Sequence, residues 1–317
     1  MNNYIGLSDI ENLQELIEEA LQLKQENSAA GFGNGKTLGM LFFNPSLRTR
    51  LSTEKAAKLL GMDVMVMNAD KDGWALEFED AAVMDSNKAE HIKEAAAVLS
   101  QYCDIIAVRA FPTLEDREKD EADTVINSFV KYANVPVINL ESATGHPLQA
   151  LTDAITVSEL KKVKRPKVVL TWAPHPKALP QSVPNSFVEV MQKMDVDLVI
   201  TNPEGYDLNS EITKKTPILR DQNEALKDAD FVYVKNWSSY ENYGKILIED
   251  SSWTFSEEKL CVTNDARVMH CLPVRRNVVI DDAVLDGENS IVIHQANNRT
   301  YAAQVVLKRL LAPRPAP

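Results

Sequence analysis

No apolar run in the 317 residues approaches the ~20 needed for a helix to cross a bilayer. Met1-Asn-Asn-Tyr4 lacks the basic and apolar regions of a secretory leader. Three cysteines (Cys103, Cys261 and Cys271) are too few and too scattered for a disulfide framework, which points to a reducing cytoplasm. Positive charge is scarce as well. Lys and Arg number 34 against 46 Asp and Glu, a formal net charge of −12, which argues against nucleic acid or an anionic membrane as partner. No His or Cys pair has zinc-ligand spacing, so no metal and no cofactor is expected. A nucleotide loop is missing too. Gly31-Phe-Gly-Asn-Gly-Lys-Thr37 has Ala30 where a Walker loop needs glycine, and it precedes a strand rather than following one.

The composition is that of an ordinary globular protein, 44% hydrophobic and 25% charged, long enough for two domains of about 150 residues each. Ser8 and Glu11 suggest a capping box before a helix that runs to about residue 25. Apolar, β-branched runs then predict strands at 37–43, 63–67, 104–109 and 135–140, alternating with helices at 45–60, 89–102 and 123–132. After a helix at 147–162, a second series of strands is predicted at 167–172, 197–201, 231–235, 268–270 and 290–294. The fold class is α/β, with two doubly wound parallel-sheet domains. The expected domains are 1–146 and 147–296, with a last helix at 297–311 packing back on the first and a tail at 312–317. The acidic stretch at 114–123 reads as a solvated surface segment.

In doubly wound sheets, ligands bind beyond the carboxyl ends of the strands. Polar residues crowd there: residues 46–50, Arg109, 141–149, 175–177, 235–237, 271–276 and 295–299. The first group is the most telling. Phe42-Phe-Asn-Pro-Ser-Leu-Arg-Thr-Arg50 delivers hydroxyls and guanidinium groups from a strand to a helix start. Unpaired backbone N–H groups and a partial positive charge at that helix end suit a phosphate, and arginine adds forked donors. His146, between a strand and a helix, is either a site residue or a capping residue. His270 ends an apolar strand and reads as structural. Cys271 is either a small buried residue or a site residue, with no activating base in view for a covalent mechanism.

Four of these segments resemble the aspartate/ornithine carbamoyltransferase family: Pro45-Ser-Leu-Arg-Thr-Arg50, His146-Pro-Leu-Gln149, His270-Cys-Leu-Pro273 and Asn298-Arg299. The resemblance implies a carbamoyl-phosphate domain and an amino-acid domain in a homotrimer. Its active sites lie between domains and are completed by a neighbouring subunit. Ser46, Leu47, Arg48 and Thr49 would hold the phosphate of carbamoyl phosphate. Arg109, His146 and Arg299 would bind phosphate or carbonyl oxygens. Gln149, Cys271 and the Leu272 carbonyl would orient the carbamoyl group. Trp74 matches the residue lent by the adjacent subunit. Gln295 departs from the pattern, since many relatives carry Glu there.

The acceptor is legible in part. Ordinary ornithine carbamoyltransferases carry an acidic residue and a Ser-Met-Gly motif for the free α-amine, and this chain lacks both. Lys235 stands near the expected Asp and would repel an ammonium but not an acylated nitrogen. Glu141, His175, Lys235 and Arg276 resemble the acylornithine-binding residues of the N-acetylornithine and N-succinylornithine subgroup, whose second domain carries a trefoil knot and a proline-rich loop. Residues 180–184 would suit that loop. As a whole the chain looks closest to the succinyl type, whose product in arginine biosynthesis is an N-acylcitrulline. Glu90 is the exception, because succinyl types have Pro there and acetyl types Glu. A carboxylate ~4 Å from a succinyl terminus would cost roughly 4 kcal/mol at an effective dielectric of about 20. Alternatively, Glu90 merely opens a helix. The competing classes are ordinary ornithine carbamoylation and a non-catalytic anion-binding regulator of the same fold.

Overall fold

The computed structural model describes residues 1–26 and 29–312. Except for Ala312, the expected tail lies outside the described residues. The chain forms two compact units. The first comprises Met1–Thr113, Glu118–Leu148 and the chain from Arg299 on; the second comprises Leu114–Arg117 and Gln149–Asn298.

The first unit holds strands β1 (Thr37–Phe42), β2 (Asp63–Asn68), β3 (Leu76–Glu77), β4 (Glu90–His91), β5 (Ile105–Arg109) and β6 (Val137–Glu141). Its main sheet has the order β2-β1-β5-β6 and every pair is parallel. All five residues of β5 and of β6 are buried, as strands of a parallel sheet covered on both faces must be. Leu41, Ile106, Val108 and Val137 of the sheet pack with Ile92 and Ala96 of the helix Ile92–Tyr102, and with Ile126 and Phe129 of the helix Thr124–Tyr132. Tyr4 extends the sheet beyond β6, with its N–H on the Val137 carbonyl at 2.9 Å and its own carbonyl receiving Asn139 N–H at 2.8 Å. A register shift between Val108 and Arg109 brings Arg109 opposite Glu141. The helix Leu13–Glu26 is tied to the C-terminal helix Val292–Leu311 by Lys308–Glu19 at 2.6 Å and Arg309–Glu15 at 2.6 Å.

The second unit holds β7 (Lys167–Trp172), β8 (Asp197–Thr201), β9 (Ile218–Leu219), β10 (Phe231–Lys235) and β11 (Arg267–Met269), in the parallel order β11-β10-β7-β8-β9. Val169, Val232, Val234 and Val268 of this sheet share a core with Phe255, Ile280 and Val284.

Four local expectations are corrected. Residues 290–294 are not a strand: only Ser290 bridges Val268, and the last helix begins at Val292, not 297. The β-branched run Ile291-Val-Ile293 misleads because Ile291 still bonds the Val268 carbonyl at 3.0 Å, whereas Val292 opens a buried helical face that continues through Gln295 and Asn298. Ser8 and Glu11 form no capping box. Asn12 instead accepts Glu15 N–H at 3.2 Å, while Asp9 takes the Ile5 and Gly6 N–H groups at 2.6 and 3.1 Å. Ser182-Val-Pro184 is the first turn of the helix Ser182–Met191, where proline forfeits no intrahelical bond, so 180–184 is only in part a loop. The acidic stretch is not merely solvated either. Arg117–Glu121 is helical, and buried Asp120 accepts Thr113 N–H at 2.9 Å.

Fully buried Tyr4 also donates its hydroxyl to the Pro147 carbonyl at 3.1 Å, at the start of the helix Pro147–Leu160. Tyr4→Phe is expected to lower the urea-unfolding free energy by about 1 kcal/mol, the usual net worth of such a bond, without changing the m-value.

Candidate functional site

In the first unit the chain leaves β1 through Asn44 and Pro45 and enters the helix Arg48–Leu60. That helix starts three residues later than the sequence suggests, so Pro45, Ser46 and Leu47 form the approach. Leu47 provides no side-chain cap, and the first-turn N–H groups therefore face outward from the helix end. Arg48 and Ser46 are half-buried, and Thr49 is buried. Thr49 Oγ1 receives Arg299 Nη2 at 2.7 Å, across 250 residues of sequence.

Arg109, at the bulged end of β5, is fixed on several sides. Its Nη2 donates to Glu141 Oε2 at 3.1 Å and its Nη1 to the Asn44 carbonyl at 3.1 Å, with a further bond to the Pro45 carbonyl. Its guanidinium also lies 4.0 Å from the Phe111 ring centroid. His146 Nε2 is 3.6 Å from the same Glu141 oxygen. Burial pushes the His146 imidazole well below its ordinary titration range, and the positive Arg299 and Arg109 push it further. The contact with Glu141 is therefore one between a carboxylate and a neutral imidazole. The first unit thus brings Thr49, Arg109, Glu141, His146 and Arg299 together as two guanidinium groups, one carboxylate and a neutral ring.

Trp74 and Glu90 meet elsewhere in this unit, with the indole Nε1 donating to Glu90 Oε2 at 2.8 Å. Glu90 does not open a helix. It pairs with Leu76 in the small β3–β4 sheet, and His91 caps the helix at Ile92 by accepting Lys93 N–H at 3.2 Å.

The second unit carries the remaining candidates. Gln149 Nε2 and Gln295 Nε2 both donate to Asp153 Oδ1 at 2.7 Å, and Gln295 Oε1 accepts His270 N–H at 2.9 Å. His270 Nδ1 accepts Leu272 N–H at 2.7 Å and so shapes the turn that carries half-buried Cys271. Leu272 has φ +57°, and the Leu272–Pro273 peptide is cis. Lys235 ends β10 almost fully buried, its ammonium donating to the Asn236 carbonyl at 2.8 Å. His175 is lowered by burial and then by the charges of Lys235, Arg275 and Lys177, opposed by a hydrogen bond with Lys177. Arg276 points to other partners, Asp282 at 2.9 Å and Asp286 through two bonds of 2.9 and 2.7 Å. Its neighbour Arg275 is the guanidinium whose charge acts on His175, and sequence alone could not separate two adjacent arginines. Among the described residues no cluster of three His, Cys, Asp or Glu could hold a metal ion, and no helix is long and apolar enough to cross a membrane.

The carbamoyl-P binding domain model of the aspartate/ornithine carbamoyltransferases matches residues 3–159, and the Asp/Orn binding domain model matches 180–310. The chain belongs to the aspartate/ornithine carbamoyltransferase family. It is 49% identical to the N-succinylornithine carbamoyltransferase of Bacteroides thetaiotaomicron over 98% of this chain and 99% of that one. It is 37% identical to the N-acetylornithine carbamoyltransferase of Xylella fastidiosa over 94% of each. A solved N-acetyl-L-ornithine transcarbamylase, with one glutamate replaced by alanine and complexed with carbamyl phosphate and N-succinyl-L-norvaline, superposes with a TM-score of 0.92 at 35% identity, covering 98% of this chain and 100% of that one. In carbamoyltransferase terms, the Gln295 departure has a local reason. A carboxylate there would face Asp153, whereas the amide donates to Asp153 and accepts from His270.

Neutral, buried His146 also sets a pH dependence. Below about pH 6.5 an unfolded-state imidazole takes up a proton that the folded site refuses. The unfolded state then binds more protons, so stability falls as pH falls from about 6.5 towards the depressed folded value. His175 acts in the same direction. His146→Gln should therefore lose less of its urea midpoint than the parent between about pH 6.5 and 5. Parallel curves would contradict this account of the burial.

Proposed function

We propose that this carbamoyltransferase moves the carbamoyl group of carbamoyl phosphate to the δ-amine of an N-acylated ornithine, giving N-acylcitrulline and phosphate. The observation that carries the donor half is the first-unit cluster, in which one buried carboxylate is outnumbered by two guanidinium groups beside a neutral imidazole and a helix N-terminus. Such a cluster favours a phosphate dianion and the oxyanion that develops when an amine adds to a carbonyl.

In the proposed mechanism Ser46, Arg48, Thr49 and the Leu47 backbone hold the phosphate. Arg109, Arg299 and neutral His146 donate to phosphate and carbonyl oxygens, while Gln149, Cys271 and the Leu272 carbonyl orient the carbamoyl nitrogen. The δ-amine lone pair forms the new C–N bond as the carbonyl π pair moves onto oxygen, and the proton that the nitrogen gives up is taken by the departing phosphate. The C–O bond to phosphate then breaks, its electron pair leaving with phosphate. Orientation and electrostatic stabilisation supply the catalysis.

For the acceptor, buried Lys235 with His175 supports an acylated rather than a protonated α-nitrogen. We assign the neighbouring cation to Arg275 in place of Arg276, whose guanidinium is committed to two carboxylates. Glu141 serves the site through Arg109. The names of the relatives support an N-acylornithine; Glu90 shifts the preference from succinyl towards acetyl. We further propose a cytoplasmic homotrimer in which Trp74 serves a neighbouring subunit. Exposed Leu47, Leu51, Met65, Trp74 and Val83 in the first unit support that assembly.

Side-by-side turnover of ornithine, N-acetylornithine and N-succinylornithine tests the acceptor, and strong turnover of free ornithine alone would refute it. Glu90→Pro and Glu90→Ala should both move the kcat/KM ratio towards N-succinylornithine by at least about tenfold, given the roughly 4 kcal/mol repulsion removed; an unchanged ratio in both variants would sink the role of Glu90. Arg48→Ala should weaken carbamoyl phosphate binding by about 10- to 100-fold in calorimetry, the loss of a charged hydrogen bond. Near-parental affinity would remove Arg48 from the cradle.

A further inference from the structure

Asp123 belongs to the acidic stretch that sequence reading assigns to the surface, yet its side chain is turned inward. The residue sits in the left-handed region (φ 42°, ψ 42°) immediately before the helix Thr124–Tyr132. Its carboxylate accepts Ser142 Oγ–H at 2.8 Å, Ala143 N–H at 2.9 Å and the Thr144 hydroxyl. Three successive residues of one loop thus converge on one carboxylate. The loop is cross-braced as well: Ser142 N–H donates to the Gly145 carbonyl at 2.9 Å, and Ser142 Oγ receives Asn139 Nδ2 at 3.1 Å and Gly145 N–H at 3.3 Å. Glu141, which holds Arg109, immediately precedes this loop, and His146 immediately follows it.

We propose that Asp123 is a positioning residue for carbamoyl transfer, clamping the loop at 142–145 so that Glu141 and His146 are held at fixed separation. The inference rests on the reading of His146 as a donor to the reacting carbonyl. Asp123 touches no reacting atom. It acts by fixing the backbone on either side of two residues that do the chemistry or orient it. Burial raises the Asp123 titration against the pull of these hydrogen bonds.

The test is steady-state kinetics on Asp123→Ala and Asp123→Asn, together with calorimetry of inorganic phosphate. Asp123→Ala should lower kcat by about 10- to 100-fold, as expected for a misplacement of about 1 Å, with a clearly smaller loss of phosphate affinity, because Ser46, Arg48 and Thr49 keep their places. Asp123→Asn keeps an acceptor oxygen and should recover most of the loss. In a double variant with His146→Ala, Asp123→Ala should add little further loss, because both act through one group. Should Asp123→Ala not fold, Thr144→Val, at an exposed partner, should lower kcat by a smaller factor and be non-additive with Asp123→Asn. Unchanged kcat in these variants would overturn the proposal. So would parallel losses of kcat, phosphate affinity and Tm with additive double variants, which mark general damage to the fold. Parent protein inert towards every acylornithine would instead overturn the functional reading, and this inference with it.

Discussion

The buried pairing of Arg109 with Glu141 constrains several parts of the first unit at once. Removing two charges from water costs several kcal/mol each, and mutual attraction repays that only with good geometry and further hydrogen bonds. The fold supplies them. A register shift at the end of β5 sets the two residues opposite each other, and the Asn44 and Pro45 carbonyls take further guanidinium protons. Consequently the approach to the helix at Arg48, the end of β5 and the loop after β6 are tied together by one ion pair. The pair also bears on the electrostatics: Glu141 pairs with Arg109, while burial, with the charges of Arg299 and Arg109, holds His146 neutral. The result is a cradle of fixed donors that needs little reorganisation when an anion enters.

The second unit solves a related problem with different groups. Asp153 is buried between two amides, and Gln295 serves it as donor while serving His270 as acceptor. A glutamate in that position would bring a second carboxylate to a site about 3 Å from the first, where both cannot ionise together. Gln295 is thus part of a self-consistent set with Asp153, which explains a departure that looks like a loss when read as a single position. Lys235 is buried as well, and its ammonium donates to the next residue's own carbonyl.

Sequence patterns located the sheets well because parallel strands buried on both faces are continuous β-branched runs between polar turns. Lys167–Trp172, Asp197–Thr201 and Phe231–Lys235 are strands over the residues that the pattern indicates. The pattern fails where a helix is buried on one side and rich in β-branched residues, as at Ile291-Val-Ile293, since a short apolar run has no readable period. It fails also for Asp123, whose charged neighbours suggest water and whose partners lie 19 to 21 residues on. The candidate site residues stand just after strands, but local sequence could not say whether the charge of Arg275 or of Arg276 acts on His175. That choice is made by Asp282 and Asp286, two carboxylates on one later helix.

The placement of Glu90 follows from the same contrast between fixed and peripheral structure. Arg109, His146 and Thr49 are held by central strands, a bulge and a buried helix face. Glu90 is held by a two-residue strand paired with another two-residue strand, and by the indole of a Trp74 that is 60% exposed. Two such strands have little stability of their own, so Glu90 can be exchanged at small cost to the core. Groups that recognise the invariant carbamoyl donor gain from rigidity, because misplacement costs rate. A group that discriminates among acyl chains gains from an environment that tolerates substitution, because specificity is a difference between affinities and a single repulsive charge can set it. With the carboxylate proposed to discriminate on the small sheet and the proposed anion cradle in the core, one scaffold could change its acceptor without disturbing its chemistry.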